Sequence, residues 1–512
     1  MMIRFRNPVV LGLLSALSLG GFLLASHFTY RLGFPLDDAW IHQTYARNLG
    51  LSGEWSFLPG QPSAGSTAPL WSGLLAVGHA LGLGPLGWAY CLGWALLSAI
   101  AILGSICFRS LCPLRPRWAI WAGGLLALEW HLVWAAGSGM ETLLFSLLVL
   151  LVLTWLASGQ VNWLLVGLLI GMSAWIRPDG VTLAGPAVLV ALLCNTDPQP
   201  SLVYPVSGAG GSEGLDDGSG RLLRVVRRVS LLILGIALLL VPYLAFNRLL
   251  AGAWWPNTFF AKQAEYAVLR EAPLWSRFLV EASLPLVGVG VILLPGFGLF
   301  SYLAARRGAW GILAGAAWLG GYLLLYAWRL PVTYQHGRYI IPVMPVFFLW
   351  GLAGMAAWFQ LEPAGTWKWV LSRAWALAAG LVLLVFWSLG ARAYSRDVAI
   401  IESEMVAAAR WVAENTEPGT LVAAHDIGAL GYFGGRQILD LAGLISPEVI
   451  PIMRDEPGLE NFLHDHRAGY LVSFPGWYPY LVSRASLVYL SQGLFSPLAG
   501  GENMAVYRWP SP

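Results

Sequence analysis

Charge is what this chain has least of. Only 11% of its 512 residues are Asp, Glu, Lys or Arg, against about 25% in soluble domains, and 57% are hydrophobic. That balance excludes a water-soluble globular body. Cysteine is scarce too. Cys91, Cys107, Cys112 and Cys194 all stand in or beside apolar segments, and the long C-terminal tail has none, which argues against a disulfide framework and against a cysteine metal site. No zinc-type His/Cys spacing, Walker loop or Ser-nucleophile elbow is present. The net charge of +3 comes without a basic, aromatic-interleaved patch, so nucleic acid is not an expected partner. No internal repeat is evident, which tells against an inverted-repeat transporter.

What the chain does have is long apolar runs and 27 tryptophans, the residue that anchors helix ends at a bilayer surface. Runs long enough to cross the hydrocarbon core recur at 8–28, 88–108, 118–136, 142–159, 162–176, 180–195, 229–247, 278–304, 309–328, 339–359 and 374–391, about eleven spans of a polytopic α-helical membrane protein. The first follows Arg4 and Arg6 and lacks a small-x-small cleavage site, so it reads as an uncleaved span. The apolar stretch Pro69–Pro85 is short and holds His79 and several glycines. Taken as an interfacial helix rather than a span, it leaves the clusters Arg109/Arg115/Arg117, Arg221/Arg224/Arg227/Arg228, Arg306/Arg307 and Lys368/Arg373 on one side. The positive-inside rule then puts the N-terminus in the cytoplasm and the C-terminus outside. The external loops become 29–87, 137–141, 177–179, 248–277 and 329–338. The Gly/Ser/Pro-rich loop 196–228 is cytoplasmic, with disorder expected from Ser207 to Gly220.

Composition changes after Arg392. Residues 1–392 read as the membrane domain and 393–512 as a small extracytoplasmic α/β domain, with a helix over Ile400–Asn415 and short strands at Leu421–His425, Gln437–Asp440, Tyr470–Phe474 and Met504–Trp509.

The polar residues gather on the external side. Asp37 and Asp38 lie in Gly33-Phe-Pro-Leu-Asp-Asp-Ala-Trp-Ile-His42, just past the first span, where carboxylates are costly unless used or neutralised. A solvated helix N-terminus is the alternative, since Asp is favoured there. A helix starting near Leu36 puts Asp38, His42 and Tyr45 on one face, with Asp37 to the side. In that setting an Asp can accept a proton from a sugar hydroxyl, while interfacial anchoring accounts equally well for His42 and Tyr45. Glu141, alone in Gly137-Ser-Gly-Met-Glu-Thr142, returns to the same face as a second acid or ion ligand. Glu129 and His131 lie within a span, suited to function or to a structural pairing. Arg177 ends a span before Pro178 and either meets a phosphate or pairs with Asp179. Lys262 in Trp255-Pro-Asn257-Thr-Phe-Phe-Ala-Lys262, and His336 and Arg338 in Gln335-His336-Gly-Arg338-Tyr339, set cations beside aromatics, suited to a phosphate on a lipid chain or to headgroup contact.

Together these motifs resemble the C-type (GT-C) membrane glycosyltransferases, close to the bacterial group containing the arabinofuranosyltransferases of actinobacterial cell walls and related mannosyltransferase-like proteins. The resemblance covers nearly the whole chain. It rests on Leu36-Asp-Asp-Ala-Trp-Ile with Tyr45-Ala-Arg-Asn48, Gly139-Met-Glu-Thr142, Arg177-Pro-Asp-Gly180, Pro256-Asn-Thr-Phe-Phe-Ala-Lys262, Arg338-Tyr339 with Pro342 and Pro345, and in the tail Asp426-Ile-Gly-Ala-Leu-Gly-Tyr432 and Leu439-Asp-Leu-Ala-Gly443. Met140 stands where Leu is more familiar.

The resemblance implies a polyprenyl-phosphate-linked sugar donor, a glycan or lipid-linked acceptor, and inverting transfer on the extracytoplasmic face of the cell membrane. It implies catalytic roles for Asp37 or Asp38 with Glu141, and donor-phosphate contacts from Lys262, Arg338, His336 and Arg177. His42, Tyr45 and Asn257 become acceptor-positioning candidates. Helical placement favours Asp38 as the base and the resemblance favours Asp37. A divalent cation near the phosphate fits the acids as well as its absence does. Two other classes are open at this point: a transporter or lipid flippase using the acids as ion sites, and a non-catalytic wall-assembly scaffold with the tail as binding module.

Overall fold

The computed structural model describes residues 3–113, 116–193, 218–359 and 366–510. Cys194 and the expected disordered stretch from Ser207 lie outside them as far as residue 217, and Gly218–Gly220 open a helix, Gly218–Ala251.

Within the described residues, every apolar run read as a span falls on a helix or a bent helix pair. Among the described residues six helices are long and apolar enough to cross a membrane, or up to eight if each of two bent pairs is one span. Thr142–Ser158, Trp163–Ile176 and Pro178–Leu193 are shorter apolar helices. The single span expected at 118–136 is instead two helices, Trp118–Leu128 and Trp130–Gly137, bent by 53°. The cause is Glu129, which adopts an extended backbone, caps Leu132 N at 3.1 Å and pairs with His131 Nδ1 at 2.8 Å. Those two polar residues are therefore a buried structural pair. The run 278–304 is likewise broken, with a 104° bend where Pro285 and Gly288 (φ 92°) interrupt the helical ladder.

Proline opens the Pro69–Ala80 and Pro85–Leu111 helices, where its missing N–H costs nothing. Pro69–Ala80 packs beside the Asp38–Ser52 helix, which ends at left-handed Gly53. Between them lies a hairpin of β1 (Ser56–Leu58) and β2 (Gln61–Pro62).

The C-terminal region is a small α/β unit. Its sheet comprises β3 (Leu421–Ala424), β4 (Gln437–Asp440), β5 (Tyr470–Ser473), β6 (Ser486–Leu490) and β7 (Ala505–Arg508) in the order β4-β3-β5-β7-β6. The pairs β3–β4 and β3–β5 are parallel, β5–β7 and β6–β7 antiparallel. Edge strand β6 was not evident in the sequence: nearly all of it is exposed, so it lacks the one-face alternation that marks a half-buried strand. The helix Thr366–Ser403 runs from the bundle into this unit and is followed by Met405–Asn415.

Sheet and bundle share one core. Val422, Ile427, Leu430 and Val472 are buried in the same cluster as the bundle's aromatic residues. Trp40 closes the seam, its ring 4.9 Å from Tyr432 and 4.6 Å from Phe433, and Arg47 donates to the carbonyls of Tyr432 and Gly431 at 2.7 and 3.2 Å.

Candidate active site

The Asp38–Ser52 helix divides the aspartate pair. Asp37, the residue before it, turns toward the sheet unit: Gly428 N donates to its Oδ2 at 2.7 Å and Ala429 N to its Oδ1 at 2.8 Å. Gly428 is required there, because a Cβ would collide with the Asp37 carbonyl oxygen. Burial and the neighbouring Asp426 push the Asp37 carboxyl above the usual carboxylate range, against the two N–H groups, which favour its ionised form.

Asp38 turns the other way, into a cavity of about 500 Å³. Its Oδ2 accepts from Lys262 Nζ at 3.1 Å and from Arg338 Nη2. Both cations also donate to the Tyr339 hydroxyl, at 3.1 and 3.0 Å. Burial alone would raise the Asp38 pKa, but Lys262 and Arg338 more than reverse it and hold the carboxyl well below its ordinary range. Arg338 is 6% exposed, and its Nε and Nη1 have no hydrogen-bond partner among the described residues. A buried guanidinium with unused N–H groups is a strong acceptor-seeking site.

Arg338 reaches this position from an unusual backbone. Gln335, His336 and Gly337 are all left-handed, with φ of 55°, 58° and 65°, and the first two are costly for side chains with a Cβ. His336 is held between Trp130 and Trp134, each ring 5.3 Å away, and its Nε2 lies 2.8 Å from Asp397 Oδ2. It does not line the cavity. Its Nε2 is taken by Asp397, and the turn it belongs to delivers Arg338.

One turn along the helix from Asp38, His42 Nε2 is 3.6 Å from Glu141 Oε2, while its Nδ1 meets Ser72 Oγ at 3.0 Å and Ser66 Oγ at 3.2 Å. Burial lowers the His42 pKa, partly offset by Glu141 and Asp38, so the imidazole is neutral at pH 7. Glu141 Oε2 is buried with no hydrogen-bond partner and also borders the cavity.

Arg177 lines the cavity but is already engaged, by Asp179 Oδ1 at 3.2 Å and the Tyr326 hydroxyl at 2.6 Å. Asp179 also accepts from Tyr322 and Tyr326. Tyr45 does not line the cavity. Its hydroxyl meets Ser63 Oγ at 2.6 Å and accepts from Gly65 N at 2.9 Å, bracing the link between β2 and the Pro69–Ala80 helix. Asn257 is buried at the start of the Asn257–Glu265 helix, and its neighbour Thr258 faces the cavity instead. The cavity's apolar side is formed by Trp255, Phe259, Leu325 and Trp328, and Leu444 of the sheet unit closes it.

Sequence reasoning named no role for Tyr339, although it stands beside Arg338, nor for Tyr322 and Tyr326. The latter pair had a signal: two hydroxyls four residues apart on one face of an apolar helix. Ser66 and Ser72 had none. His425 and Glu265, whose Nε2 and Oε1 lie 3.7 Å apart across the seam, are joined only by tertiary folding. Asp38 faces two side-chain cations, and among the described residues no three His, Cys, Asp or Glu side chains converge as a metal-binding group.

Comparison with known proteins agrees with this architecture. Residues 394–507 match a family described as Domain of unknown function (DUF8728). No curated protein sequence matches. Among solved structures, the chain is similar to ArnT from Cupriavidus metallidurans bound to undecaprenyl phosphate, with a TM-score of 0.55 and 15% identity over 97% of both chains. It is also similar to the Archaeoglobus fulgidus oligosaccharyltransferase in the apo form, with a TM-score of 0.58 and 14% identity over 92% of this chain and 69% of that one. The same oligosaccharyltransferase tethered to an acceptor peptide with the NVT sequon gives a TM-score of 0.57 at 12% identity, over 94% of this chain and 72% of that one. These likenesses establish the fold: a GT-C-type polytopic membrane fold with a small C-terminal sheet domain.

Proposed function

We propose that this chain is an inverting glycosyltransferase that moves a sugar from a polyprenyl-phosphate donor to a glycan or lipid-linked acceptor. It works on the extracytoplasmic face of the cell membrane, with the N-terminus in the cytoplasm and the sheet domain outside. One observation carries the reading: a half-buried carboxylate, Asp38, shares one oxygen between Lys262 and Arg338, and Arg338, whose Nε and Nη1 have no hydrogen-bond partner among the described residues, lines a cavity that includes Trp255 and Trp328. The ArnT structure of the same fold holds undecaprenyl phosphate, which supports a lipid phosphate as the anion these cations await.

The chemistry follows from charge. A donor phosphate entering beside Lys262 and Arg338 competes for both cations, since an oxyanion with several acceptors makes better use of their N–H groups than one carboxylate oxygen does. As they turn to the phosphate, the Asp38 pKa rises from its depressed value and the carboxylate becomes a usable base. The acceptor hydroxyl gives its proton to Asp38 while its oxygen bonds to the anomeric carbon. The bond from that carbon to the phosphate oxygen breaks on the opposite face, and the electron pair leaves with the polyprenyl phosphate. The phosphate departs as an anion stabilised by Lys262 and Arg338, so no acid need protonate it, unlike the two-carboxylate hydrolases.

Asp38 is the better base than Asp37 because both oxygens of Asp37 are occupied by backbone N–H groups of the sheet domain. Glu141 and neutral His42 orient the acceptor beside Asp38. Arg177, neutralised by Asp179, shapes the wall. No step is routed through a divalent cation. The test is transfer from a synthetic polyprenyl-phosphate sugar in proteoliposomes, with Asp38→Asn beside the native chain. Undiminished transfer by the variant would exclude Asp38 as base, and loss of lipid or ion translocation by a chain that never transfers sugar would favour a transporter.

A further inference from the structure

The sheet domain carries a surface that the transfer chemistry does not use. Between Arg484 and Glu502 there is no charged residue, although charges are frequent elsewhere after Arg392. This stretch holds edge strand β6 and the short helix Phe495–Leu498. Leu487, Leu490, Leu494 and Leu498 are 55%, 45%, 72% and 83% exposed. An uncovered apolar edge strand on a water-facing domain invites aggregation, and a contiguous exposed apolar patch marks an interaction site.

Its position identifies the partner. The first span, Asn7–Thr29, has 23 residues, about 35 Å of helix at ~1.5 Å per residue, just over the ~30 Å hydrocarbon core. Tyr30, the next residue, therefore stands at the membrane surface. The Phe495 ring packs against Tyr30 at 5.6 Å, and Phe28 beside it is 82% exposed. The patch is thus continuous with the lipid-facing end of the first span. The Phe495–Leu498 helix also packs against Thr366–Ser403, and Glu404 binds Ser491, Asn503 and Met504, fixing the patch to the helix that leaves the membrane.

We infer that the segment 486–498 is a membrane-docking surface, with Leu494 and Leu498 inserted among the lipids of the leaflet where the first span ends. This is the amphipathic, interface-seated mode of attachment, built into a domain that a span already tethers. The bilayer, rather than a second copy of the chain, is the occupant because the patch begins where lipid-facing residues end.

The experiment places a nitroxide at Leu494→Cys or Leu498→Cys in the full chain, with the four native cysteines replaced, at one molecule per phosphatidylcholine/phosphatidylglycerol nanodisc. Leu17→Cys in the first span serves as the lipid control and exposed Glu417→Cys as the aqueous one. Collision with oxygen relative to a water-soluble nickel chelate should be several-fold higher at 494 and 498 than at 417, approaching the value at 17. Nickel access equal to that at 417 overturns the inference, as does spin–spin broadening that appears only when two chains share a disc. On the unmodified chain, a bilayer-partitioning aryl diazirine should label the tryptic peptide Ala485–Arg508, and an unlabelled peptide overturns the inference without any substitution.

Discussion

The cavity wall and the seam with the sheet domain are each built on one aspartate of a consecutive pair. At the cavity, Asp38 meets side-chain cations that an incoming anion can draw away. At the seam, Asp37 meets backbone N–H groups that cannot leave without undocking Gly428 and Ala429. Identical side chains one residue apart thus end as an exchangeable contact and a fixed one. In the proposed mechanism, reactivity depends on whether the partner is replaceable, more than on carboxylate chemistry itself.

The sharpest way to break this comparison is to neutralise each member in turn. Asp38→Asn should reduce kcat for transfer by about 10²–10⁴-fold, the range of a lost general base, with the KM for donor unchanged or lower, because Lys262 and Arg338 are then unclaimed. Next in size is Arg338→Lys, which removes the planar fork and its two unpartnered nitrogens, Nε and Nη1. It should raise the donor KM by about 10–30-fold and leave the acceptor KM within about twofold in steady-state kinetics. Asp37→Asn should lower kcat by only about tenfold, from a loosened seam in which one buried N–H loses its acceptor, at a cost of about 1–3 kcal/mol. Hydrogen exchange at 428–434 should accelerate. If Asp37→Asn is instead as inactive as Asp38→Asn while exchange at 428–434 is unchanged, the two roles are reversed.

Smaller effects refine the cavity side. Tyr45→Phe removes the hydroxyl that joins Ser63 and Gly65 and should cost about 1–2 kcal/mol of stability in thermal unfolding, with donor KM unaffected. The smallest expected effect concerns His42. Its pKa is lowered in the folded chain, so the unfolded chain binds the extra proton first. Stability is therefore full above about pH 6.5 and falls as pH drops, with a slope of at most about 1.4 kcal/mol per pH unit. His42→Gln should flatten that slope in melts between about pH 5 and 7.

Much of the architecture was legible because the bilayer imposes a coarse length rule on apolar runs, and the unbroken ones fall on helices. The breaks at Glu129 and Gly288 were not legible, since hydropathy averages over single polar or flexible residues. For the site, composition beside aromatics was enough to nominate Asp38, Lys262 and Arg338, which the fold gathers. It was not enough for Asp37, whose partner Gly428 lies 391 residues away, or for His336, whose charge partner Asp397 belongs to a different helix. A sequence shows which residues are costly to bury, whereas only the fold shows who neutralises whom.

The turn before Arg338 adds a last consequence. Gln335, His336 and Gly337 wind in the opposite sense to every helix around them. A chain cannot drift gradually from one handedness to the other, because the region between is sterically closed. The backbone at Gln335 and His336 therefore has two separate basins, with a steric barrier between them. Arg338 can still turn about its side-chain torsions, but the backbone beneath it changes course only by crossing that barrier.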